Sequence, residues 1–283
     1  MRLSSGRPRV KPPFAYYGAK VMIARKIVQL LHAHDHYVEP FAGSLSVLLA
    51  KPPSRMETVN DIDQDLMTFW RVLRDRPTEL ARVCALTPHG RAEHASAYDL
   101  DGQADELERA RRVWVLLTQG RAGTLRKTGW RYYCDPAGSS SSMPGYLAGY
   151  VSRMAAVAER LAAVSLECRP ALDLIDLYGR HEGVLLYLDP PYLGSTRARN
   201  YKVEMSGEAE HRELAEHVRQ CRATVVLSGY DSPLYGELYE GWHRTEIAAA
   251  TGQSTGYHSR TEVVWSNRPF PAVAPVLFAE ADA

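Results

Sequence analysis

The sequence predicts an α/β fold with a mostly helical insertion, and three observations indicate it. Near the amino end, a strand, a glycine turn, a helix and a second strand ending in acids follow one another, as in a nucleotide-binding unit. The apolar run Val184–Leu188 is typical of a strand buried in a parallel sheet. Between these two parts, amphipathic segments separated by polar stretches predict helices. We therefore expect one α/β domain built from both ends of the chain.

The first part of the chain predicts two helices and two strands. Val21–His32 has apolar residues three or four positions apart, as an amphipathic helix does. Asp35–Phe41 predicts a strand, and Leu45–Ala50 predicts a helix that ends before two prolines. Thr58–Ile62 predicts the second strand, which is followed by acidic residues.

The rest of the chain predicts three further helices in the insertion and then a return to strands. The insertion helices are expected at Leu66–Arg74, Ala104–Leu117 and Tyr150–Val164. The later elements are a helix at His211–Cys221, a buried strand at Thr224–Leu227, and a hairpin formed by 242–247 and 260–266. The predicted division is a discontinuous domain of residues 1–65 and 165–283, with an inserted domain of residues 66–164.

Composition excludes several classes of protein. The 283 residues include 34 Lys and Arg against 33 Asp and Glu, so bulk charge does not favour a protein that coats nucleic acid. No apolar signal segment and no run of 18 apolar residues occurs, so we expect a soluble cytoplasmic protein without a membrane span. The four cysteines form no CxxC pair, and the histidines at 32, 34 and 36 have no suitably spaced acid, so we predict no metal site.

The tetrapeptide Asp189-Pro190-Pro191-Tyr192 directly follows the buried strand. It therefore lies at the carboxyl end of a strand, where α/β folds place their sites. Together with five other segments in the same order, it resembles the Dam-like (D12-class) DNA adenine-N6 methyltransferases. The other segments are Phe14–Lys20, Tyr37–Ser44, Asn60–Asp63, Ser228–Asp231 and Glu262–Asn267. The resemblance covers roughly residues 12–65 and 165–270.

The resemblance implies a Rossmann-like S-adenosylmethionine-dependent methyltransferase sheet with a mostly helical inserted target-recognition domain. It implies S-adenosyl-L-methionine as the cofactor and double-stranded DNA as the partner. The residues it places at the cofactor are Tyr16, Tyr17, Lys20, Glu39, Phe41, Gly43, Asp61 and Asp189. Lys20 is left open between the cofactor carboxylate and the target base. At the family's third motif, Pro170 and Ala171 depart from the usual acid or aromatic residue, so the contact to the cofactor adenine stays open between backbone groups and Asp173.

The residues themselves support this chemistry. An exocyclic amine is a poor nucleophile, and two acceptors aimed at its hydrogens would localise its lone pair. The Asp189 carboxylate and the Pro190 carbonyl are such acceptors, and Pro191 stiffens the turn that holds them. Tyr192 offers a ring face on which an extruded base can stack. No cysteine lies near these motifs, so a covalent thiol adduct is not supported.

Two further patterns concern ligands. Asp61 follows Glu39 by 22 residues, near the roughly 20-residue spacing at which an acid meets ribose hydroxyls. Basic and aromatic residues alternate in the insertion and in a loop after the tetrapeptide, as in phosphate-contacting and base-contacting loops. The residues predicted to contact DNA are Arg121, Arg126, Lys127, Trp130, Arg131, Arg197 and Arg199.

The resulting hypothesis is a site-specific DNA adenine-N6 methyltransferase that acts by direct displacement on a flipped adenine. The alternatives are an amino-methyltransferase of RNA adenine or cytosine N4, and a non-catalytic DNA-binding relative. We expect a monomer that is associated with the nucleoid through DNA. A cognate restriction endonuclease that acts separately is left open as a partner, and the DNA sequence that the chain recognises is not predicted.

Overall fold

The computed structural model describes residues 10–100, 105–134, 142–192, 205, 207–249 and 260–272. Within these residues a seven-stranded sheet forms the centre of the molecule, with strand order β3-β2-β1-β4-β5-β7-β6. The strands are β1 His36–Glu39, β2 Met56–Asn60, β3 Ser165–Glu167, β4 Val184–Leu188, β5 Thr224–Gly229, β6 His243–Ala249 and β7 Arg260–Ser266. Strands β1 to β5 are parallel, while β7 is antiparallel to β5 and forms a hairpin with β6. This sheet confirms the predicted fold class.

Eleven helices occur in the described part of the chain. They are α1 Ala24–Gln29, α2 Ser46–Ala50, α3 Gln64–Asp75, α4 Pro77–Ala85, α5 Arg91–Ser96, α6 Glu106–Gln119, α7 Met143–Val151, α8 Met154–Leu161, α9 Ala171–Tyr178, α10 Glu208–Arg219 and α11 Pro233–Leu238. Helices α3 to α8 lie in the chain between β2 and β3, where the mostly helical insertion is predicted.

Successive residues of the central strands face opposite sides of the sheet, and each side has its own core. Tyr37 and Tyr187 belong to a core that also contains Trp70 of α3 and Trp114 of α6. Val38 and Leu186 belong to the other core, with residues of α9, α10 and α11. The insertion helices therefore share a continuous apolar core with one face of the sheet.

Buried ion pairs also connect the insertion to the sheet. Glu57 of β2 is buried and contacts Lys51 and Arg160, the latter from α8. The Arg160 Nη2 donates to Glu57 Oε1 at 2.8 Å, and these cations lower the pKa of the Glu57 carboxyl despite its burial. Removal of either partner would leave an uncompensated charge in the interior, which is strongly destabilising.

Several boundaries differ from the predictions. The first helix is shorter than predicted, because Val21 and Met22 are exposed and Ala24 is the first helical residue. The single helix predicted at 150–164 is two helices, α7 and α8, which are separated at Ser152 and Arg153. Helices α4, α5, α9 and α11 and the three-residue strand β3 were not predicted.

The strand order places a crevice where β1 and β4 lie side by side. From β1 the sheet extends through β2 to β3, and from β4 it extends in the opposite direction to β5. Loops from the carboxyl ends of two such strands diverge, and this leaves room for a ligand. No helix in the described part of the chain is long and apolar enough to cross a membrane.

Candidate active site

A cavity of about 210 Å³ lies at this crevice. Its walls come from residues 16–20 before α1, the loop 39–44 after β1, the turn 61–63 after β2, and residues 170–172 at the start of α9. Asp189 at the end of β4 closes it on the remaining side. All eight residues predicted to bind the cofactor line this cavity, although their binding role stays a prediction.

Gly43 shapes the loop after β1. Its φ is +47°, in the left-handed region that favours glycine, and an added Cβ would lie 3.0 Å from the Tyr16 ring. The Gly43 N–H donates to Asp61 Oδ2 at 3.0 Å, and its carbonyl accepts from Trp70 Nε1 at 3.1 Å. These bonds hold the loop in place, so the cavity is formed by the protein alone.

Two acids follow β2, and their surroundings differ. Asp61 lies just beyond the strand and accepts backbone N–H bonds from Gly43 and Asp63 at 3.0 Å each. Burial raises its pKa to about 6, although these N–H groups oppose the shift. The Asp63 carboxylate caps helix α3 by accepting from the N–H groups of Asp65 and Leu66. Asp61 is thus held at the cavity wall, while Asp63 also starts a helix.

Glu39 brings a buried carboxylate to the floor of the cavity. The Tyr37 hydroxyl donates to its Oε2 at 2.9 Å, and no lysine, arginine or histidine forms an ion pair with it among the described residues. Burial raises the pKa of Glu39 to about 8, and the charge of Asp189 adds to the shift. A cation that enters the cavity would therefore meet a carboxyl group that has no ion pair with the described residues.

We expect Glu39→Gln to stabilise the ligand-free protein increasingly as pH rises. The pKa of Glu39 is about 8 in the folded protein and 4.5 as an ordinary value. Between pH 4.5 and pH 8 the folded state therefore keeps a proton on Glu39 that the unfolded state has lost. The wild-type free energy of unfolding therefore falls as pH rises through this window, whereas glutamine does not titrate. At pH 8 the variant should melt roughly 3 °C or more above the wild type, with no such gap at pH 4.5.

Scanning calorimetry at both pH values measures this difference. Glu216→Gln, on the exposed face of α10, is the matched control. Its melting temperature should differ from that of the wild type by the same amount at pH 4.5 and pH 8. If the melting temperatures of the wild type and Glu39→Gln differ by the same amount at pH 4.5 and pH 8, the proposed proton on the buried Glu39 would be contradicted.

Lys20 is the centre of a charged cluster beside Asp189. The side chain is buried, and its Nζ lies 2.8 Å from Asp189 Oδ1 and 3.7 Å from Glu262 Oε1. It also donates to the Gly18 carbonyl at 3.1 Å and to the Tyr192 hydroxyl. Burial alone would lower the pKa of Lys20, but the carboxylates of Asp189 and Glu262 outweigh it and the net shift is upward.

The predicted catalytic tetrapeptide occupies the turn after β4. Asp189 and Pro191 line the cavity, and Pro190 is buried. The Tyr192 ring packs against Tyr230, with 4.2 Å between ring centroids and an interplanar angle of 37°. The Ser228 hydroxyl, which is itself 2.9 Å from the Tyr187 hydroxyl, donates to Asp189 Oδ1 at 3.1 Å. The turn is therefore supported from β4 and β5.

Sequence reasoning assigned no role to three residues of this cluster: Ser228, Tyr230 and Glu262. All three lie within segments on which the family resemblance rests, at the ends of β5 and β7. A signal was available for Glu262, because a carboxylate directly before the apolar residues Val263 and Val264 of a buried strand needs a partner. By contrast Asp173, an open alternative for the cofactor adenine, is exposed and is not part of the cavity wall.

The basic segment of the insertion forms a tight antiparallel turn. Gly120 and Trp130 form a bridge, and the Arg131 N–H donates to the Gln119 carbonyl at 2.7 Å. Arg121 and Lys127 are exposed, whereas Arg126 is partly buried. The turn contacts the cavity wall directly, because the Tyr17 N–H donates to the Gly123 carbonyl at 2.8 Å. The other predicted DNA contacts, Arg197 and Arg199, lie outside the described residues.

Stacked aromatic rings flank this turn. His89 and Tyr132 both stack with Trp130, with centroids 4.5 Å and 5.6 Å away, and the guanidinium of Arg91 lies 4.8 Å from the Trp130 ring. Tyr132 is 55% exposed, so the stack reaches the surface beside Arg121. Cations and planar rings thus lie side by side on one surface, which suits contact with phosphates and bases.

His34 and His36, two of the three histidines considered for a metal site, make hydrogen bonds with other protein side chains. His34 Nε2 lies 2.8 Å from Ser54 Oγ, and His36 Nε2 lies 2.8 Å from Thr58 Oγ1. No group of three or more His, Cys, Asp or Glu side chains placed to hold a metal ion occurs in the part of the chain that the structure describes.

Comparisons with known proteins found a matching family model, a curated relative and a solved structure of low similarity. A family model described as D12 class N6 adenine-specific DNA methyltransferase matches residues 16–108 and 152–253, more than half of the chain. The Retron Ec67 DNA adenine methylase of Escherichia coli is 24% identical over 261 residues, which cover 87% of this chain and 88% of that protein. Among solved structures, precorrin 8w decarboxylase from Methanobacterium thermoautotrophicum covers 90% of this chain and 95% of its own, with 10% identity and a TM-score of 0.37.

Proposed function

Since the chain belongs to the D12 class of N6 adenine-specific DNA methyltransferases, we propose that this cavity binds S-adenosyl-L-methionine and that Asp189 receives the target adenine. The observation that carries the proposal is the placement of Asp189, which lies in the cavity wall and also in the charged cluster with Lys20. Asp189 therefore borders the cavity proposed for the cofactor and also belongs to the charged cluster proposed to meet the target amine. A group-transfer site needs such a boundary, because donor and acceptor must meet there.

The donor set of the cavity matches the cofactor. The buried Glu39 carboxylate suits the ammonium of the methionine end, because it has no ion pair among the described residues. The Asp61 carboxylate suits the ribose hydroxyls, which can donate to its remaining lone pairs. Ile62, Pro170 and Leu172 give an apolar wall that suits the adenine ring. When bound, S-adenosylmethionine supplies an electrophilic methyl group on its sulfonium.

The protein's own groups would act on the target amine. The Asp189 carboxylate and the Pro190 carbonyl accept hydrogen bonds from the two amine hydrogens and draw the nitrogen toward tetrahedral geometry. The localised lone pair would then be available for the methyl group that the cofactor supplies, the neutral thioether would be the leaving group, and the amine proton would pass to Asp189 or to water. Tyr192 would provide a ring face for a base extruded from the duplex, and Tyr230 packs against the Tyr192 ring with 4.2 Å between the ring centroids.

Lys20 is assigned to the target side of the boundary. Its Nζ contacts Asp189, the Tyr192 hydroxyl and the Gly18 carbonyl, so its donors are directed at the catalytic turn. In this position its ammonium lies 2.8 Å from Asp189 Oδ1 and pairs with that carboxylate. The cofactor carboxylate would then depend on backbone donors of the loop 39–44.

Transfer of a tritiated methyl group tests the proposed function. Purified protein, labelled S-adenosylmethionine and duplex DNA should give label in N6-methyladenine. Duplex RNA and DNA that lacks adenine serve as controls. Label in cytosine, in RNA alone, or in no nucleic acid would contradict the proposal. Long-read sequencing of DNA from cells that express the chain would identify the methylated sequence.

We expect the turn 120–131 to hold the DNA backbone. Arg121→Ala and Lys127→Ala remove two exposed cations, and each should lower duplex affinity and reduce the salt slope of log Kd by about 1. Arg222→Ala is the matched control, since Arg222 is also exposed but precedes β5, at the edge of the sheet opposite the cavity. Fluorescence anisotropy over a range of NaCl concentrations measures the salt slope of log Kd for each variant. Equal slopes for all three variants would exclude this turn from the interface.

The remaining parts of the proposal follow from the substrate. A monomer suffices for a reaction on one flipped base, and a DNA substrate puts its action in the cytoplasm, at the nucleoid.

A further inference from the structure

We propose that Glu262 is a positioning residue of the methyl-transfer site: it shares the charge of Lys20 with Asp189 and holds the Tyr192 hydroxyl. The second oxygen of Asp189 is thereby kept available for the target amine. This inference rests on the proposed function, since it concerns how Asp189 meets that amine.

The contacts of Asp189 provide the first argument. Among the described residues, Lys20 Nζ at 2.8 Å and Ser228 Oγ at 3.1 Å both contact Oδ1, and the Tyr192 hydroxyl lies 3.5 Å from the same atom. Oδ1 is therefore fully used within the cluster. The other oxygen, Oδ2, is the atom that can accept a hydrogen from the substrate.

The position of Glu262 provides the second argument. Its carboxylate is buried on β7 and accepts from the Tyr192 hydroxyl at 2.8 Å, while its Oε1 lies 3.7 Å from Lys20 Nζ. Lys20 thus lies between two carboxylates. Without Glu262, the whole charge of Lys20 would act on Asp189 alone, and a tightly paired carboxylate is a weaker acceptor for a neutral amine.

Glu262 supports the Tyr192 ring as well as balancing the charge of Lys20. The Tyr192 hydroxyl is held by Lys20 and Glu262 from different sides of the fold, the segment before α1 and the strand β7. The ring itself is packed against Tyr230. Three elements therefore fix the orientation of the ring on which the base would stack, and a fixed ring lowers the entropy lost when the base binds.

The charged and titratable groups that face Glu262 are few. Among the described residues they are Lys20 before α1, Asp189 and Tyr192 after β4, and Tyr187 within β4. From β6 the paired residue is the apolar Ile247. Burial raises the pKa of Glu262 to about 7, with Lys20 opposing and Asp189 adding to the shift. Its ionisation therefore falls in the range where activity is measured.

The test compares Glu262→Gln with Glu246→Gln, the matched control on the neighbouring strand β6, where Glu246 is exposed and paired with Arg244. We expect Glu262→Gln to lower kcat at least tenfold at pH 8 and to leave the Kd for S-adenosylmethionine within threefold, because Glu262 is not part of the cavity wall. The wild-type kcat should rise with pH through about 7, and this limb should be absent in Glu262→Gln. Glu246→Gln should match the wild type in kcat at pH 8, in the Kd for S-adenosylmethionine and in the pH dependence of kcat.

Each outcome separates the two proposals. No methyl transfer by the wild-type protein would overturn the proposed function. An active wild type, with a Glu262→Gln variant of equal kcat and unchanged pH profile, would overturn only the role of Glu262. If Glu262→Gln does not fold, Glu262→Asp decides, because it keeps the charge but withdraws the carboxylate from Tyr192. We expect it to lower kcat and to keep the limb near pH 7, and wild-type kcat in Glu262→Asp would also overturn the role.

Discussion

Replacement of Asp189 by alanine should lower methyl transfer by about 10³-fold or more while S-adenosylmethionine still binds. The carboxylate is the charged acceptor for the amine, and loss of one such preorganised group costs two to four orders of magnitude in other enzymes. Binding should persist because Glu39, Asp61 and the loop around Gly43 do not depend on Asp189 for their positions. Folding should persist as well, since Lys20 keeps Glu262 as a counter-charge.

Asp189→Asn completes this series. The amide oxygen still accepts a hydrogen bond but has no negative charge, so the Asn variant should retain more activity than the Ala variant and less than the wild type. Single-turnover rates and calorimetric cofactor affinities measure the two properties separately. Transfer by Asp189→Ala within tenfold of the wild-type rate would remove Asp189 from its proposed role.

The parts of the fold that could be predicted are those in which one segment carries its own signal. The bounds of β4 match the predicted strand because its five residues are all apolar and all buried. Asp189 could be placed at a strand end for the same reason. The loop around Gly43 and the acid Asp61 were also within reach, since each lies directly after a strand of the same nucleotide-binding unit.

Two kinds of element were missed for different reasons. Helix α11 had a local signal that was not used, because Ser232 caps it by accepting from the Tyr235 N–H and Pro233 stands in its first turn. Strand β3 had none, since three partly exposed residues show no clear period. It forms because β2 offers it a parallel edge.

The charged cluster could not be predicted because its members come from opposite ends of the chain. Lys20 lies before the first helix and Glu262 in the last strand, and only the placement of β7 beside β5 brings them together. The near-zero net charge of the sequence is likewise uninformative about the site, where two carboxylates surround one buried cation. Local motifs identified the residue that we propose acts on the amine, and the fold supplies the residues that we propose position it.

The second large effect is expected for Lys20→Met, and it should depend strongly on pH. Without the ammonium, no other cation from the described residues lies between the carboxylates of Asp189 and Glu262. They would then share one proton at neutral pH, because two close carboxylates cannot both ionise cheaply. A protonated Asp189 is a poor acceptor, so kcat should fall at least about 100-fold at pH 7.

The same loss of charge gives three measurable signs. The acidic limb of the kcat profile should move above the value near 7 that we expect for the wild type, so the deficit shrinks as pH rises toward 9. Stability should fall by roughly 3–5 kcal/mol, the usual cost of breaking a buried ion pair from one side. The double variant Lys20→Met/Glu262→Gln should regain much of this stability, because it removes the second buried charge. The exposed Lys26→Met on α1 is the matched control, and a Lys20→Met profile parallel to the control would show that Lys20 does not set the charge of Asp189.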